Sequence, residues 1–306
     1  MIPAKRKVPV QSKRQSRIAP FMAVKSEYYS ELARVFSTRV VRDLATTGSS
    51  AFLEYVLEYS GYQRPFTTLA NLFDDIYAFL VRQYRSEYVY KNALATKILL
   101  GRHSLATSSV LTEFPTLNSK ADVLILNGSS VVYEVKTELD SLERLPSQIA
   151  SYRRVFDQVF VVTHPSHLSK LERLLVNEIG LMVLTDRYTL STVRPATPNK
   201  PNVGVGDIFD CLRQHEYCDI LRSRFGFVPD VPNTRLYTEC RRVFLGLTPD
   251  EAHDGMVSVL KKRAKKTTLI PFVSSVPHSL KFISLVSGLT PSQTSSFLAT
   301  LNSSYS

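Results

Sequence analysis

The 306-residue sequence predicts an α/β fold, an α-β-β-β-α-β core with a mixed sheet that is preceded and followed by helical segments. Three observations carry that prediction. Up to about residue 100 the apolar residues recur at helical spacing. The pattern then changes to short apolar runs of strand length, two of which flank Asn127-Gly128, a strong hairpin signal. Helical spacing returns after the Pro-rich stretch Pro195-Ala-Thr-Pro-Asn-Lys-Pro201. The composition, 44% apolar and 21% charged, is that of an ordinary globular chain long enough for one large or two modest domains.

Taken in order, residues 1–20 read as a disordered basic arm. Residues 21–85 form a helical segment. Leu32, Val35, Phe36, Val40 and Leu44 recur at helical spacing over Tyr28 to Leu44, and Thr46 to Ser50 break that helix. A second helix spans Phe52 to Tyr59. Thr67-Thr68 can cap a third, which carries Leu69, Leu72, Phe73, Ile76, Phe79 and Leu80. Residues 86–194 are the α/β core. A helix follows Ser86, then come strands over Val110 to Phe114, Lys120 to Leu126 and Ser130 to Thr137. A helix over Glu143 to Phe156 and a strand over Val159 to Thr163 follow, then a helix over His167 to Asn177 and a strand over Leu181 to Leu184. Both hairpin faces are apolar, with Ala121, Val123 and Ile125 on one and Leu124, Leu126 and Val132 on the other. Helices should therefore cover the sheet on both sides. Residues 195–202 read as a linker and 203–306 as a C-terminal helical domain. In that domain Gly246-Leu-Thr-Pro-Asp-Glu251 and Gly288-Leu-Thr-Pro-Ser-Gln293 are two capping boxes.

Three charges interrupt the hairpin's apolar runs: Asp122, Glu134 and Lys136. A charge in a strand core is costly unless it is paired or binds a metal. Register decides whether the three meet, because directly opposed residues share a face. A two-residue loop sets Asp122 opposite Tyr133 and turns Glu134 away. A three-residue loop, Asn127-Gly128-Ser129, sets Asp122 opposite Glu134 with Lys136 one step along on the same side. Gly128 can supply the left-handed residue that such a loop needs, and this register is the expectation.

The order α-β-β-β-α-β, with Asp at the start of the second strand and Glu-Val-Lys at the end of the third, resembles the PD-(D/E)XK nuclease superfamily, in detail a largely uncharacterised bacterial branch. The matching phrases are Glu87-Tyr-Val-Tyr-Lys-Asn92, Leu99-Leu-Gly-Arg-His103, Thr112-Glu-Phe114, Ser119-Lys-Ala-Asp122, Tyr133-Glu-Val-Lys136, and Gln148 with Tyr152. They cover residues 86 to about 163. The superfamily's name implies Pro before the Asp, and Ala121 stands there instead. The residues themselves suit a salt-bridged set at the sheet ends, with Lys136 pairing the two acids, or a metal site, with Asp122, Glu134 and the Val135 carbonyl offering hard oxygens to Mg²⁺ or Mn²⁺ and Lys136 assisting the attacking water. The resemblance implies that Glu87 is an extra metal acid and that Gln148 acts beside the lysine. Glu113 is a further candidate because its strand flanks the hairpin. Glu87 also suits a pair with Lys91 at i+4. Cys211, His215 and Cys218 share a helix face with Ile208, Leu212 and Leu221, so buried thiols explain them better than zinc.

The net charge of +11 is carried by two clusters. One is Lys5, Arg6, Lys7, Lys13, Arg14 and Arg17, and the other is Lys261, Lys262, Arg263, Lys265 and Lys266. Clusters of this kind suit a polyanion, and the expected partner is nucleic acid, DNA before RNA. No apolar run approaches the ~20 residues that span a bilayer, and three cysteines fit a reducing cytoplasm. The expected function is a Mg²⁺-dependent DNA endonuclease, of a mobile element or phage-defence system by association, with the C-terminal helices open to a protein partner. The alternative is a catalytically silent nuclease fold used as a binding, immunity or inhibitor module.

Overall fold

The computed structural model describes residues 24–63, 65–101, 107–264 and 269–304. The arm at 1–20, His103, Lys265 and Lys266 lie outside the described residues. The chain opens with α1 (Tyr29–Arg34), α2 (Thr38–Thr47), α3 (Ala51–Tyr59) and α4 (Leu69–Gln83). The single helix expected over Tyr28 to Leu44 is split. Ser37 adopts extended backbone, and its hydroxyl accepts from the Val40 N–H, which starts α2 afresh. Thr68 caps α4 in the same way through the Asn71 N–H.

Next come α5 (Glu87–Leu94), which runs on as a π-helical turn over Ala95–Leu99, then β1 (Ser109–Thr116), β2 (Ser119–Leu126) and β3 (Ser130–Lys136). After them are α6 (Leu145–Arg153), β4 (Gln158–Thr163), α7 (Leu168–Leu174), β5 (Gly180–Leu184) and β6 (Leu190–Arg194). The strands form one six-stranded mixed sheet in chain order. β1, β2 and β3 are antiparallel neighbours, β3, β4 and β5 are parallel, and β6 closes the far edge antiparallel to β5. The parallel pairs need crossovers, which α6 and α7 supply. β6 was not expected. Its residues are half or fully exposed, so it lacks the apolar run that marks the other strands.

The chain ends with α8 (Val205–Asp210), α9 (Gln214–Phe225), α10 (Asn233–Phe244), α11 (Pro249–Ala264), α12 (Leu269–Ser275), α13 (Lys281–Val286) and α14 (Pro291–Asn302). The two expected capping boxes are present at Thr248/Glu251 and Thr290/Gln293. Among the described residues no helix is long and apolar enough to cross a membrane.

Helices lie on both faces of the sheet. One core joins Val123, Ile125, Val135, Val162 and Met182 to Leu44, Phe73, Leu80, Leu94, Phe272, Phe282 and Phe297. The other joins Leu124, Leu126, Val132 and Val161 to Tyr152, Phe209, Leu221, Phe244 and Met256. The helices after residue 203 therefore divide: α8 to α11 cover one face with α6, and α12 to α14 join the N-terminal helices on the other. Asn92 on α5 fixes the second group, accepting from the Phe282 N–H at 2.9 Å and donating to the His278 carbonyl at 3.0 Å. The Pro-rich stretch is pinned rather than loose. Buried Asn199 donates to the Arg153 carbonyl at 2.6 Å, and its N–H donates to Asp157 Oδ1 at 2.9 Å.

Candidate metal centre

Leu126 pairs with Ser130, so Asn127, Gly128 and Ser129 form the expected three-residue loop. Gly128 takes the left-handed conformation at φ 71°, and the Asn127 N–H donates to the Ser129 carbonyl. This register sets Asp122 level with Glu134, one step beyond the Val123–Tyr133 rung. There the side chain replaces the backbone ladder: Asp122 Oδ2 accepts from the Val135 N–H at 2.8 Å.

Across the other edge of β2, Glu113 is the residue level with Asp122. Its φ is 51°, and this rung is missing from the β1–β2 ladder. A non-glycine residue there costs on the order of 1–3 kcal/mol, a distortion common beside functional sites. It also corrects one expectation. Ala121 does not share a face with Val123 and Ile125. The alternation reverses at this rung, so Ala121 and Phe114 join the core under α6. Asp122 stands at the reversal and is therefore within reach of both α5 and α6.

Glu134 is 1% exposed. Its Oε1 accepts from Lys136 Nζ at 2.7 Å and from Gln148 Nε2 at 2.6 Å. Its Oε2 lies 2.8 Å from the Tyr152 hydroxyl, which is also 2.8 Å from the Lys120 carbonyl. Gln148 and Tyr152 are one turn apart on α6 and so share its buried face. Burial, and then the Glu134 charge, hold the Tyr152 hydroxyl far above its ordinary pKa, so it stays a donor. Gln148 Oε1 is buried and has no hydrogen-bond partner. An orphaned acceptor of that kind calls for a donor or a cation.

The second half of the cluster comes from α5. Lys91 Nζ contacts Glu87, lies 2.6 Å from Glu113 Oε1, and is 3.8 Å from Asp122 Oδ1. Lys120 Nζ takes Glu113 Oε2 at 3.2 Å. Burial works to discharge Lys91, but the Glu87 and Asp122 charges and the Glu113 hydrogen bond raise its pKa above the ordinary value. Burial also acts to raise Glu113, yet the Lys91 and Lys120 bonds hold it below the usual carboxylate range. Asp122 goes the other way. Burial and then the charge of Glu134 push it up to about 7, against the pull of Lys91 and the Val135 N–H.

Asp122, Glu134, Lys136, Val135, Glu87 and Gln148, all expected at the site, line one cleft of about 370 Å³. The donors suit Mg²⁺ or Mn²⁺: hard oxygens only, an orphaned amide oxygen, and an aspartate whose ionisation is opposed until a cation arrives. The basic residues of α11 are elsewhere. Arg263 is committed to buried Glu216 and sits over the Phe114 ring at 5.3 Å, so the fold uses its charge. Lys261 is half-buried and Lys262 exposed. Lys91, Lys120 and Arg144 were not expected as site residues. Lys120 and Arg144 also line the cleft; Lys120 lies within the phrase Ser119-Lys-Ala-Asp122, which implies no role for it, and no motif marks Arg144. Lys91 read as an ordinary i+4 partner of Glu87, although α5 is buried from Tyr88 to Leu94.

The family model for bacteriophage P4 protein cII matches residues 81–281. Protein cII of Enterobacteria phage P4 is 26% identical over 98 residues, 31% of this chain and 33% of that protein, so the match spans about a third of the relative's length. Among solved structures, a protein of unknown function from Silicibacter pomeroyi is similar at 20% identity and a TM-score of 0.27, over 39% of this chain and 81% of the other. A likeness that low carries no argument.

Proposed function

This chain belongs to the bacteriophage P4 protein cII family, and on that premise we propose that its acidic cleft is the centre of a divalent-metal-dependent nuclease, with a PD-(D/E)XK-type core and DNA as substrate. The observation that carries the reading is the meeting of Asp122, Glu134, Lys136 and the unpartnered Gln148 Oε1 in one cleft. Asp122 and Glu134 would hold Mg²⁺ or Mn²⁺, with the Val135 carbonyl as a further oxygen. The ion, when bound, supplies positive charge beside the scissile phosphate and acidifies a water.

The remaining work falls to the chain. Lys136, tied to Glu134 Oε1 at 2.7 Å, holds its ammonium beside the acids, where its free N–H groups can orient water or neutralise a phosphate oxygen. Gln148 Oε1, whose amide nitrogen is spent on Glu134, would be free to accept a hydrogen bond from a water in the cleft. Tyr152 fixes Glu134 from the other side. Exposed Lys120 and Arg144 on the cleft rim offer charge to flanking phosphates. Lys5, Arg6, Lys7, Lys13, Arg14 and Arg17, together with Lys262, extend the attraction to DNA.

A second reading keeps the fold and drops the chemistry. Both oxygens of Glu134 already have donors, and three lysines offset all but one of the four carboxylate charges, so the cluster can stand as a largely neutralised structural network in a binding module. A substrate panel separates the two. Purified protein is incubated with linear and circular duplex DNA, single-stranded DNA and RNA, with Mg²⁺, Mn²⁺ or EDTA. Cleavage of DNA with either ion and none with EDTA is expected. Binding without cleavage of any substrate favours the second reading.

A further inference from the structure

We infer that Lys91 is a tethered cation standing where a second metal ion would otherwise sit, so that the centre takes one divalent ion and not two. This rests on the metal-dependent reading above. Four carboxylates converge at this end of the sheet: Glu87, Glu113, Asp122 and Glu134. Glu87, Glu113 and Asp122 can each offer an oxygen so that the three lie within 4.8 Å of one another. Oxygens grouped that closely attract a second hard cation unless something already neutralises them. The Lys91 ammonium does so. It contacts Glu87, lies 2.6 Å from Glu113 Oε1, and is 3.8 Å from Asp122 Oδ1.

The fold leaves that ammonium nowhere else to go. Lys91 is 7% exposed, on a helix whose residues from Tyr88 to Leu94 are all buried, and its ammonium ends on the half-exposed carboxylates of Glu87 and Glu113 rather than in open water. Glu113 is doubly held, with Lys91 at one oxygen and Lys120 at the other, 3.2 Å away. Its left-handed backbone, φ 51°, belongs to this arrangement, because it occurs at the rung level with Asp122. Glu87 and Glu113 are thus spent on Lys91. Asp122 and Glu134 face the ion, on the side where Gln148 Oε1 has no partner, with Glu134 using the oxygen lone pairs that its protein donors leave over. An ammonium carries one charge and binds no activated water, so this half of the cluster neutralises and positions without reacting. Lys91 is a positioning residue, and Glu87 is its anchor rather than a ligand.

The test counts ions. Mn²⁺ is titrated, without nucleic acid, into the wild type, Lys91→Met and Lys91→Arg, and followed by calorimetry and by the spin resonance of free Mn²⁺. One ion per chain is expected for the wild type and for Lys91→Arg, and two for Lys91→Met. Two ions in the wild type, or a single ion at unchanged affinity in Lys91→Met, overturn the role of Lys91 while leaving the metal site in place. Absence of binding to the wild type removes the metal site itself, a different failure with a different signature. Where Lys91→Met does not fold, Glu113→Gln decides. It removes a partner of Lys91 but no ligand, so the one-ion count should persist, and loss of the ion contradicts the inference.

Discussion

Replacing Asp122 with Asn removes a charge and keeps the shape, and without divalent ions it should stabilise the protein at pH 8. Burial and the neighbouring Glu134 charge raise the folded-state pKa of Asp122 from 3.8 to about 7. That is roughly three pH units at ~1.4 kcal/mol each, on the order of 4 kcal/mol held against the ionised side chain. The sign follows from the raised value. Stability is full below the unfolded pKa and is lost as pH rises through about 7, so the wild type weakens between pH 4 and pH 8. The Asn variant cannot ionise, and its Oδ1 can still accept the Val135 N–H that Asp122 accepts at 2.8 Å. Urea unfolding in EDTA from pH 4 to pH 8 measures the difference. The two chains should agree within ~1 kcal/mol at pH 4, and the variant should lead by about 2–4 kcal/mol at pH 8. Added Mn²⁺ should restore the wild type at pH 8 and do little for the variant. A wild type as stable as the variant at pH 8 in EDTA would refute the reasoning.

Tyr152→Phe removes the hydroxyl 2.8 Å from Glu134 Oε2 and should cost about 1.5–3 kcal/mol by urea unfolding, because a buried carboxylate oxygen loses its donor. Asn92→Ala leaves the Phe282 N–H and the His278 carbonyl unpaired and should cost ~2–4 kcal/mol, with α12 to α14 losing hydrogen-exchange protection first. His253 is buried with its Nε2 2.7 Å from Ser130 Oγ, and burial holds its pKa below the usual 6.5. A lowered histidine pKa gives stability that is present above pH 6.5 and lost as pH falls below it. In the Asp122→Asn background, which removes the opposing slope, the urea midpoint should be flat above pH 6.5 and drop below it. A midpoint unchanged down to pH 5 would contradict this.

What the sequence made legible was local. The Asn127-Gly128-Ser129 loop follows from one residue's left-handed preference and from where the charges fall. The boxes at Thr248 and Thr290 follow from side chains three residues from the groups they cap. What it hid was either weakly patterned or remote. β6 is short, with only Leu190 and Val193 apolar and no residue fully buried, so no strand period stands out. The union of α12 to α14 with α2 and α4 joins residues more than 200 positions apart, such as Thr300 and Leu44, and no single-sequence period reports that. The site divides the same way. Asp122, Glu134 and Lys136 stood out because charges broke apolar runs. Lys91 did not, because a lysine four residues after a glutamate on a helix reads as a surface pair. Only the burial of α5 from Tyr88 to Leu94 turns that lysine inward, while Glu87 stays exposed. Arg263 errs in the opposite direction: inside a basic run it reads as a free cation, yet it neutralises buried Glu216.

The most direct test pairs chemistry with ion binding on the same samples. Single-turnover cleavage of supercoiled DNA in Mn²⁺ is measured for the wild type and for Lys136→Met, beside the Mn²⁺ count of each. Lys136 contacts Glu134 but is not a ligand, so the variant should keep one bound ion. Its cleavage rate should fall by ~10²–10³, the usual loss when a group stabilising the transition state is removed. A wild type that binds Mn²⁺ and cuts nothing, or a Lys136→Met variant that cuts as fast as the wild type, would contradict the assignment of this cleft as a nuclease centre.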